Sequence, residues 1–192
     1  MAKQHEEETF GFTYDVFISF RGEDTRNNFI GHLRKELSRK GMKIFFDDRD
    51  LPVGNVISPS LSKAIEESKI LIIVFSKNYA SSTWCLDELV KILEQSKISE
   101  MKQLVFPVFY HVDPSDVRKQ TESYGEHMTK HEENFGKASQ KLQAWRTALF
   151  EASNFPGHHI TTRSGYVPTI PFIFFTCFFF VVEFLKRFDP LL

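Results

Sequence analysis

This 192-residue sequence is poor in several features that would assign it to a common class. It has only two cysteines, Cys85 and Cys177. They form neither a disulfide framework nor a zinc spacing, which favours a reducing compartment. No sign of charge dominates: 24 Lys+Arg stand against 25 Asp+Glu, a net charge of −1, so charge gives no footprint for nucleic acid. There is no GxGxxG and no P-loop, which removes two phosphate-cradling fingerprints. The first residues, MAKQHEEETFGF, contain an acidic run and no apolar core, so they do not read as a secretory signal.

What is present suits one domain with extensions, and 42% hydrophobic residues suffice for a core. Four short apolar runs recur: YDVFISF (14–20), KIFF (43–46), KILIIVF (69–75) and QLVFPVFYHV (103–112). Each is too continuously apolar for a strand with one wet face, so each reads as a strand of a parallel sheet covered on both sides. GHHI (157–160) is a weak fifth candidate, and Pro107 weakens the fourth because proline cannot donate to a ladder.

Helical periodicity fills the gaps. Phe29, Leu33 and Leu37 precede Gly41, a helix stop. Ile57, Leu61, Ala64 and Ile65 mark a second helix. SSTWCLDELVKIL (81–93) carries a stripe of Leu86, Leu89, Val90 and Leu93, with Ser82 or Thr83 able to cap it. Further helices are expected over 123–135 and 137–153, the latter with Leu142, Trp145 and Leu149 on one face. Strand–helix alternation predicts an α/β fold, and five short strands of this kind fit a flavodoxin-like parallel sheet in the order 2-1-3-4-5, an order the alternation by itself leaves assumed.

That order predicts where a ligand sits. In open α/β sheets ligands bind beyond the carboxyl ends of the strands, where the winding reverses, here between the first and third strands. The loop RGEDTR (21–26) and the segment SKNYASSTW (76–84) meet there, so Arg21, Trp84 and Glu88 are expected to converge. Arginine is a donor fork for phosphate or ribose oxygens. Tryptophan offers a stacking face. A carboxylate can orient ribose hydroxyls or stabilise an oxocarbenium-like centre. Taken singly, each also has a plain structural explanation: a solvated helical Glu, a packed helix start, a helix-entry loop.

Other signals carry less. His158 and His159 are adjacent, poor geometry for one metal. His127 and His131 have the helical spacing that can share a metal, but no third ligand accompanies them, so no metal site is expected. Asp113, Pro114 and Asp116 read as turn chemistry. Asp47 and Asp48 end the second strand on the ligand side, toward its far edge.

The segments YDVFISFRGEDTR, AIEESKILIIVFSKNYASSTWCLDEL, VFPVFYHVDPSDVRKQ, SYGEHMTKHEENF and TTRSGY closely resemble the Toll/interleukin-1 receptor (TIR) domain of plant intracellular immune receptors, over residues 12–166. The resemblance implies the same flavodoxin-like fold. It also implies an NAD⁺ nucleosidase that self-associates and cleaves the nicotinamide–ribose bond of NAD⁺ or NADP⁺, giving nicotinamide and ADP-ribose-type signals in innate immunity and cell death. The dinucleotide is then substrate, and no cofactor is expected. The family's catalytic glutamate maps onto Glu88, and its substrate-binding residues onto Arg21, Gly22, Ser82 and Trp84. Its self-association surfaces fall on the first helix, with His32, and on later helices, with Gly125. The alternative is a non-catalytic adaptor or decoy that binds other TIR domains. Either would act in the cytoplasm or between cytoplasm and nucleus.

Departures from the family pattern lie at Val53, Gly54 and Asn55, where members often carry RGE, and at Glu122, His127 and Met128. The division expected is an N-terminal extension over 1–11, the TIR domain over 12–166 and an atypical tail over 167–192. No residue from Ser164 to Val182 is charged, close to the ~20 residues that span a bilayer. Eight phenylalanines fall between Phe172 and Phe188. Three readings of the tail stay open: a membrane anchor, the product of an alternative transcript or truncated gene, or a helix packed on the domain or in an oligomer.

Overall fold

Each apolar run becomes a parallel strand. The computed structural model describes residues 11–45, 58–99 and 103–161. Its strands are β1 (Tyr14–Phe20), β2 (Ile44–Phe45), β3 (Ser68–Phe75), β4 (Leu104–Tyr110) and β5 (His158–Ile160). They form one sheet in the order β2-β1-β3-β4-β5, all pairs parallel. The predicted winding reversal between β1 and β3 is present.

The helices are α1 (Gly22–Thr25), α2 (Gly31–Arg39), α3 (Pro59–Glu66), α4 (Thr83–Ile98), α5 (Pro114–Lys119), α6 (Glu122–Phe135) and α7 (Gln140–Ala152). A π-type turn over Arg26–Ile30 joins α1 to α2. A 3-10 turn over Tyr79–Ser81 leads into α4. Gly41 has φ +80°, the left-handed conformation that lets the chain leave the end of α2.

Alternation along the strands builds two cores. Phe17, Leu71, Ile73, Phe75 and Phe109 face α3, α4 and α7 through Leu61, Ile65, Leu86, Leu89, Trp145 and Leu149. Val16, Ile18, Ile70, Ile72 and Val74 face the other way, against Phe29, Ile30, Leu33 and Leu37. β3 is buried throughout, apart from a half-buried Lys69. Each fully buried Leu, Ile or Phe contributes about 1.5–3 kcal/mol, so the central strands hold the frame rigid beneath its loops.

Three local expectations change. Asp113, Pro114 and Asp116 form a short helix rather than a simple turn: Asp113 caps α5 by accepting from Ser115 N at 2.7 Å, and Pro114 occupies its first turn. β4 stops at Tyr110 instead of continuing to Val112, because His111 turns to φ 54° while its N–H bonds the Ile160 carbonyl at 2.9 Å. Val90 is only half-buried, and the inward face of α4 is completed by Cys85, Glu88 and Ile92.

Pro107 is accommodated without breaking β4. The β5 ladder begins one residue later, at Val108 opposite His158. Gly157 comes so close to Pro107 that a Cβ there would stand 2.4 Å from the Pro107 carbonyl oxygen.

Candidate functional site at the winding reversal

β1 delivers Arg21 at its carboxyl end, and the connection after β3 delivers Ser82, Trp84 and Glu88. The helix start is built locally. Ser82 is extended, at φ −94° and ψ 115°, and its Oγ accepts from Cys85 N at 3.3 Å. This satisfies one of the orphan donors of α4. Trp84 and Glu88 then lie one turn apart and join: Trp84 Nε1 donates to Glu88 Oε1 at 2.6 Å.

Glu88 is 6% exposed, unusual for a helical carboxyl. Its second oxygen lies 2.7 Å from Ser19 Oγ on β1. Ser19 Oγ in turn lies 2.8 Å from Tyr79 Oη, and Tyr79 Oη lies 2.9 Å from the Cys85 carbonyl oxygen. Ser19 and Tyr79 are both fully buried. Burial, then the neighbouring Cys85 and Glu88, push the Tyr79 phenol well above its ordinary range. Burial first and Glu88 second push the Cys85 thiol up to about 12. Neither group is an anion near neutral pH, so their protons stay in the site.

The two loops of the crevice are tied by Asp24. Its Oδ2 accepts from Ser76 Oγ at 2.6 Å and from Asn78 N at 3.1 Å, and its Oδ1 accepts from Asn78 Nδ2 at 3.2 Å. Arg21 Nε stands 3.7 Å from Asp24 Oδ1, and Arg21 Nη2 pairs with Glu23. Arg21 Nε is buried yet donates no hydrogen bond. A guanidinium N–H of this kind is a donor that an incoming oxygen would satisfy.

Gly22 opens α1 beside Arg26, where a Cβ would meet Arg26 Nη2 at 2.7 Å. His32 is exposed in the first turn of α2. Gly125 is half-buried in the first turns of α6, where a Cβ would stand 2.8 Å from the Gln120 carbonyl oxygen. Close backbone approach alone accounts for that glycine. His131 Nε2 lies 2.8 Å from the Ala80 carbonyl oxygen, and its ring packs 5.1 Å from Trp145. Residues 53–55, Asp47, Asp48 and the 167–192 stretch lie outside the described residues. Among the described residues, no helix is long and apolar enough to cross a membrane.

Sequence reasoning did not single out Ser19, Tyr79 or Asp24. Ser19 carried a signal, a hydroxyl inside an otherwise apolar strand, which must find a partner once buried. Tyr79 read as part of a connecting loop, and Asp24 as part of a helix-entry loop.

Comparison with known proteins agrees with this architecture. A profile of the TIR domain matches residues 13–166. Disease resistance protein RPV1 of Vitis rotundifolia is 57% identical over 148 residues, 77% of this chain and 10% of that protein. TMV resistance protein N of Nicotiana glutinosa is 51% identical over 146 residues, 76% of this chain and 13% of that protein. The chain thus spans little more than a tenth of the length of these relatives. Among solved structures, the TIR domains of the activated Roq1 resistosome superpose with a TM-score of 0.76 at 47% identity, covering 89% of this chain and 98% of that one. The RPS4 and RRS1 TIR heterodimer shares the fold at 19% identity, with a TM-score of 0.51 and coverage of 88% of this chain and 96% of that one. With a profile match over most of its length and the same strand order, the chain belongs to the TIR domain family.

Proposed function

We propose that this TIR domain cleaves NAD⁺ or NADP⁺ at the nicotinamide–ribose bond when copies associate, and that it acts inside the cell in plant defence signalling. The observation that carries this reading is Glu88, a carboxyl 6% exposed, held by Trp84 at 2.6 Å and faced by Ser19 at 2.7 Å at the winding reversal. Nicotinamide leaves as a neutral ring, so the leaving group demands no strong acid. Glu88 holds the ribose hydroxyls and, as carboxylate, stabilises positive charge developing at C1′. Arg21 supplies donors to ribose or phosphate oxygens, and Trp84 walls the ring pocket while aiming Glu88. The water that completes hydrolysis takes the C1′ position nicotinamide vacates. No metal or resident cofactor enters this scheme.

The test is NAD⁺ consumption by the full chain, free and crowded on vesicles, against Glu88→Ala. A preorganised charged group of this kind contributes roughly 10²-fold in rate, so Glu88→Ala should lose about that much. Equal turnover in both would refute the assignment of Glu88.

A second reading, association with other TIR domains without catalysis, draws support from the assembled state of the Roq1 TIR domains, 47% identical to this chain. His32 and Gly125 would lie on the surfaces used. Absence of turnover under crowding, with sedimentation showing hetero-association, would favour it. Membrane contact through 167–192 is a separate proposal, checked by localising the chain with and without that stretch.

A further inference from the structure

The hydrogen-bond chain behind Glu88 has more contacts than hydroxyls. Three oxygen–oxygen contacts run in series: Glu88 Oε2 to Ser19 Oγ at 2.7 Å, Ser19 Oγ to Tyr79 Oη at 2.8 Å, and Tyr79 Oη to the Cys85 carbonyl oxygen at 2.9 Å. Each contact needs one proton. Ser19 and Tyr79 supply one each, and the Cys85 carbonyl supplies none. If Glu88 is a carboxylate, one contact is left with two oxygens facing each other and no hydrogen between them. If Glu88 carries a proton, the chain closes in one direction: Glu88 donates to Ser19, Ser19 to Tyr79, and Tyr79 to the carbonyl. Trp84 Nε1 donates to the other carboxyl oxygen in either state. Buried polar chains strongly favour the fully satisfied arrangement, because an unpaired buried contact costs the desolvation of its members.

We propose that the Ser19–Tyr79 chain keeps a proton on Glu88 in the ligand-free protein, and that occupation of the crevice by hydroxyl donors releases it. Ser19 and Tyr79 are then positioning residues, reporting to the reacting atoms only through Glu88. Release is balanced: one O–H bond of Glu88 breaks, the proton passes to bulk water, and the donors of the incoming molecule take over the carboxylate. Ser19 then turns its proton to Glu88 Oε2. The bearing on turnover rests on the proposed nucleosidase reading; the proton on Glu88 does not.

From the segment after β1, Arg21 and Asp24 act on Cys85 with opposite signs. From α4 itself comes the Cys85 thiol, and from α6 the Tyr124 phenol, which acts on Tyr79 and is also pushed well above its ordinary range by burial. None of these groups alters the proton count between Glu88 and the Cys85 carbonyl.

The experiment is a titration of the Glu88 side-chain carboxyl in the full chain, by NMR of carbon-13 glutamate, without substrate, with Glu88→Gln assigning the signal. Its midpoint should lie above the ordinary glutamate value of about 4.3. Tyr79→Phe removes one hydroxyl, so Ser19 can serve the carboxylate with no contact left empty; the midpoint should move to lower pH. On the acid side of the midpoint, this variant should hold roughly three- to tenfold more ionised Glu88. Burial alone predicts the opposite sign, since phenylalanine makes the surroundings less polar. In a Ser19→Ala background the chain is already cut, and Tyr79→Phe should lose its effect. A wild-type midpoint at or below the ordinary value would overturn the proposal, as would a Tyr79→Phe midpoint unchanged or raised. If Ser19→Ala fails to fold, the sign for Tyr79→Phe decides alone. A wild-type chain that never consumes NAD⁺ refutes the activity and leaves this titration standing.

Discussion

Removing the Asp24 carboxylate should unpin both loops of the crevice at once. Asp24 is 15% exposed and accepts from Ser76 Oγ, Asn78 N and Asn78 Nδ2 at 2.6, 3.1 and 3.2 Å. Hydrogen bonds to a charged group contribute about 1.5–3 kcal/mol each, but these three do not add, because Asn78 supplies two of them. Ser76 is buried, so its hydroxyl finds little water when the carboxylate goes. Asp24→Ala should therefore destabilise the domain by about 3 kcal/mol, and Asp24→Asn, which keeps the shape and one carbonyl acceptor, by about 1–1.5 kcal/mol. For a domain of this size the first figure corresponds to roughly 6–12 °C in Tm. Urea unfolding followed by tryptophan fluorescence reads it, with the slope m unchanged. Asp24→Ala within about 0.5 kcal/mol of the wild type would refute the view that Asp24 pins the loops.

Three further outcomes follow from the same geometry. Cys85, its thiol pushed up to about 12 by burial first and Glu88 second, should resist alkylation at pH 8 in the folded chain and react fully in urea, as read by mass spectrometry of its peptide. His111 and His158 are held below the ordinary histidine range by burial and then by His159, so the native state favours their neutral forms. Their contribution to stability is present in full above the unfolded value of about 6.5 and is lost as pH falls below it, because the unfolded chain takes up the protons first. Thermal melts should therefore fall between pH 7 and 5, and His158→Gln should flatten that slope. Gly157→Ala forces a Cβ to within 2.4 Å of the Pro107 carbonyl oxygen, where backbone must yield. It should cost about 1–3 kcal/mol in urea unfolding, concentrated at the β4–β5 edge by hydrogen exchange.

Much of this molecule was legible before any coordinates. The runs of Val, Ile and Phe carried the strands because burial on both faces leaves no room for alternation, and the 3.6-residue stripes carried the helices. Trp84 and Glu88 could be paired from their spacing alone, since residues four apart meet on a helix. The motifs around Arg21, Ser82, Trp84 and Glu88 tied those positions to one family. Turn chemistry was harder: the Asp113–Pro114 signal that starts a helix is the same one that makes a turn, and only the hydrogen bonds that follow separate them.

What the sequence alone determined was the sheet, its winding reversal and the positions brought to that edge. The strands follow from local periodicity, whereas the order 2-1-3-4-5 with its reversal was one that fits such strands and that the family motifs imply. What only the tertiary structure decided was the chemistry behind Glu88. Ser19 and Glu88 are 69 residues apart, and Ser19 and Tyr79 are 60 apart. Their contacts depend on the β1–β3 register and on the depth at which α4 docks, quantities set by packing across the whole sheet. No spacing along the chain encodes a hydrogen bond of that kind, and no spacing shows that two hydroxyls must serve three contacts.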